Sequence, residues 1–180
     1  MKLINRSFKE IFFTQLFSIF GGIFAGTLLA VYTDNILLIP GMLIILPGFL
    51  EMRGNISGTF ASRLSSGLFL GVINPNKIKT RIIKGNLIGS FTLAIIVSLL
   101  LGLIAFSFNY LVLNITAAKI ILIPLLAGLI ANAIEMALTL FMTIYVFKKG
   151  HDPNNIMGPF ITTTGDITSI ISLLLVIAII

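Results

Sequence analysis

The chain has 180 residues, is 57% hydrophobic and only 10% charged, and combines a mean hydropathy of +1.12 with a formal net charge of +6 and no cysteine. A soluble domain with so few charges could not keep its surface wetted, so the class is a polytopic membrane protein, and disulfides and thiolate metal sites are excluded. The single histidine, His151, excludes an imidazole cluster within one chain, and no GxxxxGK[ST] phosphate loop is present.

Residues 1–10 carry Lys2, Arg6 and Lys9 and are expected to lie along the cytoplasmic interface as a short amphipathic lead-in. The apolar run 11–31 has the about 20 residues needed to cross a hydrocarbon core of about 30 Å. It is too long for a signal-peptide core and has no small-residue cleavage site before Asp34, so a retained first span is expected. Its Gly22 and Gly26 stand at GxxxG spacing, which suits close helix packing. Residues 32–35 form a short turn with Asp34 and no basic residue, hence an outer turn. From 36 to 73 the chain stays mostly apolar, and one helix of that length would reach about 57 Å, nearly twice the membrane core. A break is therefore predicted at Pro47-Gly48, leaving 36–46 as a short or re-entrant piece and 49–73 as the main second span. On that span Gly54, Gly58, Ser62 and Ser66 recur every four residues, a face that suits either a contact within the chain or a symmetric dimer seam.

The loop 74–84 carries Lys77, Lys79, Arg81 and Lys84 and reads as cytoplasmic. A third span is expected at 85–108, with Gly85 and Gly89 at packing spacing, and an outer loop follows to Lys119. The fourth span, 120–147, places Gly128, Asn132, Glu135, Thr139 and Thr143 on one polar stripe. An inner turn with Lys148 and Lys149 leads to the fifth span, 154–180, where Thr162, Asp166, Ser169 and Leu173 share a face. Nine Lys/Arg then fall on one side and one on the other, with Arg53 and Arg63 inside the second span. The fold expected is all-α, a single domain over 1–180 with five spans, the N-terminus cytoplasmic and the C-terminus outside. The basic residues lie mostly in loops, where they act as topology signals, and no nucleic-acid partner is expected.

Charged side chains at membrane depth cost about 2.5–3.5 kcal/mol on insertion scales, so they face protein or water and usually serve function. Asp166 lies near mid-membrane with no Lys or Arg within a helical turn. A role in a cation pathway competes there with a protonated structural aspartate bonded to threonines, or a partner of Arg53 or Arg63. Asn55, beside Gly54, can accept from an ion's hydration water or cap a broken helix. Glu51 suits a second pathway carboxylate or an arginine partner, and Glu135 suits lining the route or a buried interhelical bond. Asp152, just before Pro153, suits ion recruitment at the inner mouth or an N-cap for the last span. Arg53 and Arg63 are expected to pair with carboxylates or snorkel. Only oxygen ligands are on offer, which favours a hard cation; hydroxyls and amides outnumbering carboxylates suit hydrated Mg²⁺, with Na⁺ nearly as good a fit.

The stretch Pro47-Gly-Phe-Leu-Glu-Met-Arg-Gly-Asn55 followed by Phe60-Ala-Ser-Arg-Leu-Ser-Ser66 resembles the second span of the MgtE family, closest to its eukaryotic solute carrier family 41 branch and archaeal half-size relatives. Asp152-Pro-Asn-Asn, Pro159 and Thr162-Thr-Thr-Gly-Asp166 resemble the family's last span. The resemblance implies a Mg²⁺ channel or transporter working as a parallel two-fold dimer with the pore along the subunit interface. It places the ion-binding aspartate at Asp166, the pore-side Gly-Asn at Gly54 and Asn55, and the mouth aspartate at Asp152; Thr162, on the face of Asp166, is expected among the hydroxyls that orient the ion's outer shell. Nothing in the sequence corresponds to the large cytosolic regulatory domains of bacterial members, so gating through them is not expected of this chain.

The expectation is thus a transporter or channel of the cytoplasmic (plasma) membrane and not an enzyme, with Mg²⁺ as cargo, no organic cofactor, and a homodimer or a sister half as heterodimer partner within the lipid bilayer. An exchanger of Mg²⁺ for Na⁺ or H⁺ is the alternative, and a non-conducting membrane subunit a further one.

Overall fold

The structure, a computed structural model, describes residues 2–180, with side chains from Arg6 onward. The side chain of Lys2, part of the expected basic lead-in, lies outside the described residues. Six helices follow one another: α1 (Lys2–Val31), α2 (Thr33–Leu37), α3 (Met42–Phe69), α4 (Arg81–Val112), α5 (Lys119–Lys148) and α6 (Pro153–Ile179). No strand occurs among the described residues. Four helices are by length and composition able to cross a membrane: α1 over Arg6–Val31, α4, α5 and α6. The 28-residue α3 is less apolar because it carries Glu51, Arg53, Asn55 and Arg63.

α3 packs on α4, α5 and α6, α5 packs on α4 and α6, and α1 leans on α6. The shared core is built from Ile45, Phe49, Phe60 and Leu64 of α3, Ile120, Ile123 and Met136 of α5, and Leu173 of α6. Lipid tails are as apolar as these side chains, so in a bilayer close packing and buried polar bonds hold such a bundle, more than removal from water. α1 shows most of its surface, with Phe8, Phe13 and Phe20 all exposed.

Three sequence expectations are corrected. The N-terminal lead-in is not a separate segment, because nothing between Lys2 and Phe12 interrupts a helix and α1 runs through unbroken. Its first turns are tied down by half-buried Glu10, which accepts from Arg6 Nε (3.2 Å), His151 Nδ1 (2.8 Å) and Asn155 Nδ2 (2.9 Å). The predicted break near 47–48 falls earlier: Pro47 lies inside α3, and the chain turns at Pro40-Gly41 instead. Gly41 takes φ +79°, a left-handed conformation that glycine adopts without penalty, and Asn109 Nδ2 from the far end of α4 donates to Pro40 O at 2.7 Å. The packing glycines also differ. A side chain at Gly22, Gly26, Gly85 or Gly89 would meet nothing within 4 Å, whereas Gly21 faces Thr163, Gly102 faces the backbone of Ile121, and Gly128 faces Ser98.

The expected basic loop 74–84 gives up its last four residues to α4. Thr80 caps that helix, its hydroxyl accepting from Ile83 N at 3.3 Å.

Candidate cation site

Residues four apart on a helix lie on one face, and this spacing assembles the site. Glu51 and Asn55 are one turn apart on α3, Thr162 and Asp166 one turn apart on α6, and both pairs line a single cavity of about 470 Å³ between the two helices. Gly54 and Gly58 complete the α3 wall, and Gly158 and Gly165 the α6 wall. At Gly54, Gly58 and Gly158 an added side chain would meet nothing within 4 Å, so their small size keeps the cavity and its outer face open.

The lining is acidic and rich in oxygen. Asp166 is half-buried, while Glu51, Asn55 and Thr162 are exposed on the uncovered side of the bundle. Asn55 Nδ2 donates to Glu51 Oε1 at 3.2 Å, which leaves the Asn55 carbonyl to accept. Thr162 Oγ1 gives its proton to Gly158 O at 3.1 Å, so its oxygen also serves as an acceptor. No basic residue lines the cavity. Its chemistry is therefore that of a hard-cation site with two carboxylates. Among the described residues no group of three or more His, Cys, Asp or Glu could wrap a bare ion.

The other two residues singled out from the sequence lie elsewhere. Glu135 is fully buried and accepts from Thr164 Oγ1 (2.9 Å) and Thr168 Oγ1 (3.4 Å), which binds α5 to α6. Gly165, which lines the cavity, also packs beside Glu135, since a Cβ there would stand 4.0 Å from the Glu135 carboxyl carbon. Asp152 forms the N-cap of α6, accepting from Asn154 N at 2.9 Å, with Pro153 in the first helical position.

The whole α5 stripe faces inward, with Asn132, Glu135, Thr139 and Thr143 fully buried. It meets Arg53, also fully buried, whose Nη1 donates to Asn132 Oδ1 (3.2 Å) and Gly128 O (3.5 Å). The expected arginine–carboxylate pairs are not formed among the described residues. Arg53 bonds the α5 amide and backbone, and Arg63 Nη1 donates to Asn86 Oδ1 at 3.3 Å. Both arginines thus bond to amide or backbone oxygens of a packed neighbour, while Glu135 is bonded by threonines of α6. Sequence reasoning passed over Gly158 and Gly165 as lining residues. The signal was present for Gly158, which stands four residues before Thr162 and eight before Asp166.

Long apolar helices packed around charged side chains define a multi-pass membrane protein. The sequence profile of MgtE, described as a divalent cation transporter, matches residues 46–176, and the chain belongs to that family. The matched stretch takes in all the residues of the α3–α6 cavity, while α1 and α2 precede it. No curated protein and no solved structure gives a significant match. The function class is accordingly divalent cation transport, in a family of transporters rather than enzymes.

Proposed function

We propose that two copies of this chain carry Mg²⁺ across the cytoplasmic membrane, with the ion passing along the seam where the α3–α6 cavities face each other. Each copy crosses the membrane five times, with the N-terminus inside and the C-terminus outside. The bias of Lys and Arg toward one side supports this orientation. The crossing beyond those of α1, α4, α5 and α6 is α3, the second in chain order, whose 28 residues span about 42 Å, more than the core requires. One observation carries the reading: five of the seven residues singled out from the sequence (Glu51, Gly54, Asn55, Thr162 and Asp166) line one cavity that opens on an uncovered face.

In this reading Asp166 of each copy holds the ion through its waters, since Mg²⁺ sheds its shell reluctantly. Asn55 and Thr162 accept from those waters, Glu51 adds charge beside them, and Gly54 lets the shell approach the helix. At about 5 Å and an effective dielectric of about 20, each unit charge pair is worth about 3 kcal/mol, and a divalent ion gains twice that. Asp152 stands at the inner mouth, with one oxygen committed to the helix cap and the other facing incoming ions. Glu135 stays out of the route and fixes α6, which carries Asp166.

The test is Mg²⁺ entry into liposomes holding purified protein, driven by an imposed potential without Na⁺, for wild type and Asp166→Ala. Potential-driven flux abolished by the substitution supports the proposal. Flux that appears only with a Na⁺ or proton gradient identifies an exchanger, and none under any gradient overturns the proposal in favour of a missing partner half or a non-conducting subunit.

A further inference from the structure

A second cavity, of about 480 Å³, lies on the basic end of the bundle, between the α3–α4 loop, the first turns of α4 and the side of α5. Its polarity is graded. Lys79, Arg81 and Lys84 form the rim, and Ile83, Leu87 and Leu140 form the floor. Leu87 lies six residues into α4 from Arg81, about 9 Å along the helix, and Leu140 lies eight residues from Lys148, about 12 Å from the end of α5. Charge is thus concentrated at the membrane edge, and the apolar groove runs inward from it.

The rim charges are uncompensated. Ion pairs among the described residues are confined to Glu10, and no acidic residue lines this cavity. The three basic side chains are all exposed. At this depth the material beside the groove in a bilayer is lipid, and anionic headgroups draw basic residues at the membrane surface.

We propose that this groove binds one anionic phospholipid, its headgroup phosphate held by Lys79, Arg81 and Lys84 and an acyl chain lying along Leu87 and Leu140. The bound lipid bridges the α3–α4 loop to α4 and α5, and its site is independent of which ion the protein carries.

The experiment counts lipids retained by the detergent-purified protein in native mass spectrometry, during titration with phosphatidylglycerol or phosphatidylcholine of the same acyl chains. Wild type is expected to retain phosphatidylglycerol preferentially. Each basic residue is worth about fivefold, so Lys79→Gln/Arg81→Gln/Lys84→Gln loses on the order of a hundredfold and approaches the phosphatidylcholine level. Leu87→Trp, which fills the floor, weakens phosphatidylglycerol while leaving the rim charges in place. Equal retention of the two lipids by wild type, or undiminished retention by the triple variant, overturns the proposal. So does inorganic phosphate that displaces phosphatidylglycerol at equal concentration, because the rim alone would then account for binding.

Discussion

Asp166 and Glu135 are near neighbours across Gly165, yet their surroundings give them different work. Asp166 opens on a cavity with Thr162, Asn55 and Glu51, whereas Glu135 is sealed between Thr164 and Thr168 in the same core as Arg53. The two carboxylates should therefore fail in different ways. Asp166→Asn keeps the shape of the side chain and removes only charge, so stability is expected to stay within about 0.5 kcal/mol of wild type, as for a substitution away from the core. Mg²⁺ flux should meanwhile fall by an order of magnitude or more. Glu135→Ala leaves a void and strips Thr164 and Thr168 of their buried acceptor, a loss of about 3 kcal/mol. Thermal unfolding of the two purified variants, set beside their liposome flux, checks both. A stable, inactive Glu135→Ala would move Glu135 into the route.

The course of α3 depends on which of two Pro-Gly pairs bends the chain. Pro40-Gly41 and Pro47-Gly48 stand seven residues apart in an apolar run, and the expectation from the sequence placed the break at the second pair. The choice is made by Asn109, distant in sequence, which bonds Pro40 O and fills the space beside Gly41. Any side chain at Gly41 must take a left-handed conformation that costs about 1–2 kcal/mol and also collide with Asn109. Pro47, by contrast, sits in a continuous helix and withholds a bond from the Leu43 carbonyl, a penalty of about 3 kcal/mol in a helix interior. Gly41→Ala is thus expected to lower the unfolding temperature and Pro47→Ala to hold or raise it; the opposite order would return the hinge to 47–48. Other elements were legible to different depths for related reasons. The polar stripe of α5 follows from its period, but its direction does not, since lipid and protein core are equally apolar and its partners Arg53, Thr164 and Thr168 turn it inward. Helix spacing put Thr162 and Asp166 on one face, whereas bringing them together with Gly54 and Asn55 was implied only by the resemblance to the family, because spacing within a helix does not say which two helices meet. GxxxG spacing marks a small face without saying whether a neighbour covers it, so Gly22 and Gly26 looked like packing sites while Gly21 does the packing.

For the whole molecule, the decisive contrast is between glycines filled from within the chain and glycines left open. Gly128 is pressed against Ser98 and Phe49, so Gly128→Leu must push α4 and α3 away from α5 and is expected to abolish folding. Gly58 stands on the α3 face that carries Gly54, Ser62 and Ser66, of which the two serines are exposed and the two glycines half-buried at the cavity, and a side chain at Gly58 would meet nothing within 4 Å. A single copy should accept Gly58→Leu at little cost to its stability. Two copies meeting at this face should not, because small residues let helix backbones approach closely and a leucine holds them apart. Gly26 is open in the same sense but lies on α1, whose outward face is rich in phenylalanine and suits lipid, so Gly26→Leu serves as the control. The expected result is a Gly58→Leu protein that melts like wild type at the level of the protomer yet loses its dimer fraction in mass photometry and chemical cross-linking, beside a Gly26→Leu protein that keeps it. Pairing retained in Gly58→Leu would place the seam elsewhere, and the cavity between α3 and α6 would then have to serve the ion within one copy.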